Sequence, residues 1–362
     1  MGRVIRSAII FFVTAFVAGC GSSSGDGGAS PPPVSPPPPP SVTTAEAHQF
    51  LNQATFGATE AEADTVRSMA LEAWIDQQLA IPASLQLPHL QALPRPQFLF
   101  ELQGDRIDIW FRHSLNGPDQ LRQRVAFALS QIMVVSQIGA LSNQTYALGS
   151  YYDMLAQNAF ANYRNLIEDV TLHPAMGVYL SMLGNEKPNA ALNIRPDENY
   201  ARELMQLFSI GLVELNIDGT PLLDDDGNVV PTYDQSVIEG FAHVYTGWHY
   251  AGAPSFEFAF ANDFNQTVPM QLYPDFHDGG AKKLLNGVVI PAGQTGDQDL
   301  ADALDNIFNH PNVGPFIAIR LIQRLTTSNP SPGYVQRVAE VFNDNGFGVR
   351  GDLAAVVKAI LL

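Results

Sequence analysis

The sequence predicts a mainly α fold: a multi-helical globular domain over residues 43–362 with one minor β-hairpin. Three observations predict it. Apolar residues recur at helical spacing, as in Leu121, Val125, Ala128, Leu129, Ile132 and Val135. Helix-start signals punctuate the chain, since Thr43 with Glu46 and Thr59 with Glu62 both have capping-box spacing. Only one short stretch has a strand–turn–strand pattern. The chain is 46% hydrophobic and 10% aromatic, enough to fill a substantial core.

Residues 1–20 read as a processing segment, outside the fold. Arg3 and Arg6 precede an apolar run over 8–17 that is too short to span a bilayer, which takes about twenty residues. The run ends in Val17-Ala18-Gly19-Cys20, which resembles the lipobox of bacterial lipoprotein signals. Cleavage there leaves Cys20 as a lipidated first residue, where an ordinary secretory signal or a short membrane anchor is the alternative. Cys20 is also the sole cysteine, so the mature domain has no internal disulfide in an oxidising compartment. Gly21 rather than Asp in the next position implies the outer membrane in a two-membrane envelope. Residues 21–42 are Gly/Ser-rich and then Pro-rich, with little to bury. As a partly polyproline tether they reach up to roughly 60 Å from the membrane.

The elements follow in order. After the two capped starts, Asn116-Gly117-Pro118 opens the helix that carries the stripe from Leu121, with proline suited to its first turn. Further helices are expected near 151–169, 175–183, 198–210, 236–246, 300–308, 313–326 and 334–343, with Gly211 and Gly247 at C-terminal cap positions. Pro221-Leu222-Leu223 and Val229-Val230 flank an Asp-Gly turn and form the hairpin. The acidic tip, Asp224 to Asp226, reads either as a solvated turn or as a calcium site, but it misses the EF-hand spacing. Residues 256–272 read as extended. After Asp352, the stripe Leu353, Val356, Val357, Ile360 and Leu361 stops without a cap or polar tail. Such a face needs a partner, and further helices are expected to have followed it in a longer chain.

Charge limits the function classes. Acidic residues number 36 against 19 basic, a formal net charge of −17. This argues against nucleic acid and against adsorption to anionic lipid headgroups. No nucleophile elbow, phosphate-binding loop or dinucleotide fingerprint is present, and no two histidines have the spacing of a helical zinc site.

The most informative segment is RPDENYARELMQLFSIG at 195–211. Asp197 after Pro196 is a good N-cap. At 100° per residue Asn199, Arg202, Glu203 and Gln206 share a narrow arc on an otherwise apolar helix. That stripe is either the helix's one wet face or the floor of an internal polar cleft. In a cleft, Glu203 has the chemistry of a general base or metal ligand and Arg202 that of a fork for an anion or carbonyl, with Asn199 and Gln206 as ligand-binding amides. His173-Pro174 and His310-Pro311 each sit at a junction between helices and read first as structural, with His173 also a catalytic candidate. Trp248 reads as a buried helix-end anchor or as the wall of a ligand cleft.

DENYARELMQLFSIG, with HPAM before it and TGW and HDGGAK after it, resembles the bacterial family called domain of unknown function 1800. The resemblance runs from HQFLNQATFG at 48–57 to the end of the chain. It implies an exported bacterial protein with no established reaction, often encoded beside an exported protein of phosphatase or sulfatase type, which becomes the expected partner. His277-Asp278 with Lys282 matches the family's His-Asp-x-Gly-x-Lys element, making His277 and Asp278 metal-ligand candidates and Lys282 a ligand-binding one. With Glu203 and His173 they compose a mixed carboxylate–imidazole site for a divalent metal only if folding brings them together. The chain departs from the family in the helix after Leu121-Arg122-Gln123-Arg124, where Ser130 and Ile132 stand at the expected histidine positions. This puts a metal mechanism based on those histidines in doubt here. Two functions remain: a binding or assembly component working with an exported partner, which the absence of a catalytic motif favours, or an envelope hydrolase or metal-assisted enzyme centred on Glu203.

Overall fold

Local signals account for most helix starts in the computed structural model, which describes residues 42–362. Cys20, the apolar run and all but Val42 of the tether lie outside the described residues. Thr43 and Thr59 form full capping boxes with Glu46 and Glu62 and open α1 (Thr44–Ala54) and α2 (Glu60–Met69). A third box, Thr295 with Gln298, opens α12 (Gly296–Phe308). Single side-chain caps from Asp234, Ser331 and Asp352 open α11 (Gln235–Val244), α14 (Pro332–Asn343) and α15 (Leu353–Leu361). Between these lie α3 (Leu71–Leu79), α4 (Leu87–Ala92), α5 (Gln103–Asn116), α6 (Gln120–Ser130), α7 (Thr145–Asn158), α8 (Tyr163–Leu172), α9 (Pro174–Tyr179), α10 (Asn199–Glu203) and α13 (Val313–Leu325). The fold is mainly helical, as the periodicity predicts. No described helix is long and apolar enough to cross a membrane.

Buried stripes join these helices into one main core. Leu121, Val125, Ala128 and Leu129 of α6 are buried, and so are Ile132 and Val135 beyond its end. Pro118 stays outside this helix, two residues before its first turn. One cap comes from a distance. The Asp153 carboxylate on α7 accepts the backbone N–H groups of Gln86 and Leu87 at 2.6 and 2.8 Å, capping the start of α4, which has no cap of its own. Asp119 accepts from Ser84 and Gln123. The apolar face of α15 packs on α1, α3, α13 and α14, so this face is covered within the chain.

Four expected elements differ. Of the stretch 256–272, expected to be extended, only Gln271–Leu272 is strand, while Phe256–Phe258 is a 3-10 turn. The helix expected over 151–169 is broken: α7 ends at Asn158, and Asn162, whose side chain accepts from Arg164 N–H at 2.9 Å, starts α8. Competing side-chain bonds from asparagine give the backbone an exit from the helix. The helix expected at 175–183 stops at Tyr179. The one expected at 198–210 is α-helical only through Glu203 and then becomes a π-helical turn, Leu204–Ser209.

The expected hairpin forms through a bridge of Leu223 with Val229, and bridges of Leu215 with Pro221 and Val213 with Pro231 join it to the preceding segment. Its tip is a local turn in which Asp224 accepts from the backbone of Asp226 and Asn228, while Gly227 takes φ +82°. Two antiparallel pairs complete the β structure, β1 (Trp248–His249) with β2 (Gln271–Leu272) and β3 (Lys282–Lys283) with β4 (Val289–Ile290).

Candidate functional site

The signature segment begins with an Asx turn, in which Asp197 Oδ1 accepts Asn199 N–H at 2.8 Å. Arg202 Nη2 then donates to Glu198 Oε2 at 2.8 Å, and the same carboxylate accepts from Gln235 on α11 at 3.0 Å. Asn199 is exposed and Arg202 half-exposed, so this part of the stripe is a surface network. Glu203 differs: its Oε2 is buried without a hydrogen-bond partner, as is the Tyr233 hydroxyl. Burial raises the Tyr233 pKa, with the charge of Arg202 opposing and that of Glu203 adding.

The π turn then redirects the stripe. Its i→i+5 bonding widens the helix, so each residue advances by less than the usual 100°. Ile210 N–H donates to Met205 O at 3.0 Å, and Ser209 Oγ donates to Leu204 O at 2.6 Å. Gln206 leaves the line of Glu203 and lines a separate space of about 300 Å³ with Phe316, Ile319 and Arg320.

His173 lies in the core as the N-cap of α9. Its Nδ1 accepts Ala175 N–H at 3.2 Å, and its Nε2 faces Ser150 Oγ at 3.2 Å. Burial holds its pKa down to about 3, leaving it neutral. His310 repeats the arrangement, with Nδ1 accepting Asn312 N–H at 3.2 Å. Two His-Pro junctions thus share one local bond, from the N–H two residues on to the ring Nδ1, which caps a helix only at His173.

The HDGGAK segment builds a buried ionic network. Lys282 Nζ lies 2.6 Å from Asp299 Oδ2 and donates to the carbonyls of Asp278 and Gly280 at 2.5 and 2.8 Å. His277 Nε2 lies 3.0 Å from the same Asp299 oxygen, and its Nδ1 lies 3.0 Å from Thr246 O. Asp278 instead pairs with His243. Burial opposes the charge on Asp278, but its bonds to His243 and Gly280 prevail and its pKa is lowered. The Lys282 ammonium takes the place a cation would occupy beside Asp299. Among the described residues no group of three or more His, Cys, Asp or Glu side chains is placed to hold a metal ion. Trp248 is buried, its Nε1 without a partner, against a space of about 490 Å³ shared with Met270, Leu272 and Asp297.

The structure therefore joins Lys282 to His277 through Asp299, and Arg202 to Glu198. No hydrogen bond or ion pair among the described residues links Glu203 to His173 or His277.

A further cleft lies elsewhere. It has a volume of about 650 Å³ and is walled by three loops that contribute Arg95, Asn143, Gln144, Asn262, Asp263 and Gln266. Arg95 and Asp263 close one side through a bidentate pair. Asn143 Oδ1 accepts Phe100 N–H and Gln144 Oε1 accepts the Tyr250 hydroxyl, leaving both amide NH₂ groups without a protein partner among the described residues. Next to the wall residues in the chain stand Phe98 and Phe100, stacked at 5.8 Å and 47% and 53% exposed, and Phe260 and Phe264, 70% and 67% exposed.

A family model described as "Protein of unknown function (DUF1800)" matches residues 49–362. The chain belongs to this family. No curated protein and no solved structure matches it. Within this DUF1800 domain, Ser130 and Ile132 stand where the family resemblance implies histidines. Ser130 Oγ donates to Phe127 O of its own helix, and Ile132 is buried in the core. Sequence reasoning missed Asp299, His243, Tyr233 and the cleft. For the cleft a signal was available: FEFAFANDF at 256–264 sets aromatics into a polar loop, a poor pattern for a buried strand.

Proposed function

We propose that the protein is a binding or assembly component of the bacterial cell envelope, held on a lipid at Cys20, and that its partner engages the 650 Å³ cleft and its phenylalanine rim. The carrying observation is the exposure of four phenylalanines that adjoin, along the chain, residues lining one polar cleft. Soluble surfaces rarely leave aromatics in such groups, whereas interfaces use them as anchors in pockets rimmed by polar groups. Four candidate residues support the same reading, since the catalytic candidates His173 and Arg202, the metal candidate His277 and the ligand-binding candidate Lys282 all have partners within the chain, Glu203 being the exception. The exported phosphatase- or sulfatase-like protein implied by the family resemblance is the proposed partner, and the outer membrane the proposed site. Replacing Phe260 and Phe264 together by serine tests the reading: the pair of proteins no longer co-purifies while the melting temperature stays within a degree or two. Retained co-purification contradicts it.

A second reading rests on one observation, the burial of Glu203 Oε2 and the Tyr233 hydroxyl without partners. An unpaired buried carboxylate oxygen is a feature that enzymes exploit. Glu203→Gln distinguishes the two readings, because a hydrolase loses its phenotype at unchanged stability and a binding component keeps it.

A further inference from the structure

A second pocket, of about 480 Å³, lies between the end of α1, α6 and α13. Its walls include Asn52, Phe56, Arg124, Gln131, Gln323 and Arg324. The Arg124 Nη2 group donates to Arg324 O at 2.8 Å, and its guanidinium sits 5.9 Å from the Phe56 ring centre. Arg324 Nε is buried and has no hydrogen-bond partner. Arg320, one turn earlier, covers Phe316.

None of these three arginines forms an ion pair among the described residues, whereas Arg67, Arg95, Arg112, Arg164 and Arg202 each meet a carboxylate. Arg106, Arg122, Arg195, Arg337 and Arg350 also lack one, so what distinguishes this pocket is that two arginines share a lining that holds no carboxylate. Partly buried positive charge without a counter-charge is unfavourable, and a guanidinium with unused donors matches the oxygens of an oxyanion. Burial alone lowers the Arg124 pKa, with no carboxylate to offset it. Phe56, Phe127 and Trp110 pack edge-on or tilted at 5.5 to 5.7 Å and form an aromatic wall beside the charge. The pocket also unites sequence features that the proposed function leaves unused: Thr55-Phe56-Gly57 and the Arg124 end of Leu121-Arg122-Gln123-Arg124.

We propose that this pocket is a binding site for an oxyanion, a carboxylate or phosphate group, held between Arg124 and Arg324 with its attached apolar or ring portion against Phe56 and Phe127. The side-chain amides of Gln131 and Gln323 each donate once within the chain, to Phe127 O and Ser328 O, and keep one N–H apiece for the rim. This site is separate from the phenylalanine-rimmed cleft and stands whether or not that cleft binds a partner.

The test is titration calorimetry and thermal melting of the full detergent-solubilised chain with inorganic phosphate and, separately, succinate, against sodium chloride at matched ionic strength. Saturable binding of at least one probe is expected, with a rise in melting temperature that chloride does not give. Preference for phosphate or succinate distinguishes the two oxyanion sources. Arg124→Gln and Arg324→Gln are each expected to weaken binding at least about tenfold. Gln131→Glu supplies a carboxylate from within the chain, and it is expected to raise the apo melting temperature while abolishing the probe response. It also keeps the test decisive if an arginine variant does not fold. Absence of any response beyond chloride overturns the proposal, and so does a response that persists unchanged in Gln131→Glu or in the folded arginine variants.

Discussion

Lys282 and Asp299 are each about 1% exposed at the side chain and joined at 2.6 Å. Removing one partner of such a pair leaves an uncompensated buried charge, which costs about 3–5 kcal/mol. Lys282→Ala is therefore expected to lower stability by that amount in denaturant titrations, with Asp299→Ala similar and the double variant less than additive. Protonation gives a second prediction at this scale. Burial holds His173 down to about 3, and burial with the Arg350 charge holds His310 down to about 4. Both are neutral when folded and take up a proton near pH 6.5 when unfolded, so their stabilisation is complete above 6.5 and is lost as pH falls toward 4. Asp153 acts in the opposite sense: burial raises it to about 7 against two backbone N–H donors, so its contribution grows as pH falls from 7 toward 4. Two histidines outweigh one carboxyl, and the melting temperature is expected to fall between pH 6.5 and 4. In His310→Gln that slope is expected to be shallower, and an unchanged slope contradicts the assignment.

Element by element, the helices with their own start signals were legible. Thr43, Thr59, Asp352 and the stripes of α6 and α15 behave as their spacing predicts. Thr59→Ala is expected to cost about 1 kcal/mol through loss of its cap, read as a shift in the denaturant midpoint. The failures share a cause, which is that the deciding interaction comes from elsewhere in the chain or departs from the 3.6 repeat. The break before α8 is tied to the backbone of Arg350 and Gly351. The π turn after Glu203 moves Gln206 away from the arc drawn at 100° per residue. The start of α4 depends on a carboxylate more than sixty positions away. In the candidate site, the residue types in HDGGAK were readable, but their acceptor Asp299 was not, since nothing near it in sequence marks it as the counter-charge.

At the scale of the molecule, a net charge of −17 is distributed over a chain whose described residues leave two features unexplained by stability alone. One is the set of exposed phenylalanines next in the chain to residues that line a polar cleft, and the other is the pair Arg124 and Arg324 in one pocket whose lining holds no carboxylate. They are the two features on which the proposed partner surface and the proposed oxyanion site rest in this helical domain. Cys20→Ser is expected to move the protein from the membrane to the soluble fraction on cell fractionation without altering the melting curve of the purified domain. Membrane retention contradicts the anchor. Covalent footprinting in intact envelopes tests the central claim of a bound partner most directly. Phe98, Phe100, Phe260 and Phe264 are expected to be labelled strongly in the purified protein and to become protected in the envelope, while the still more exposed Phe347 stays labelled in both. Equal labelling of the four phenylalanines in both settings contradicts it.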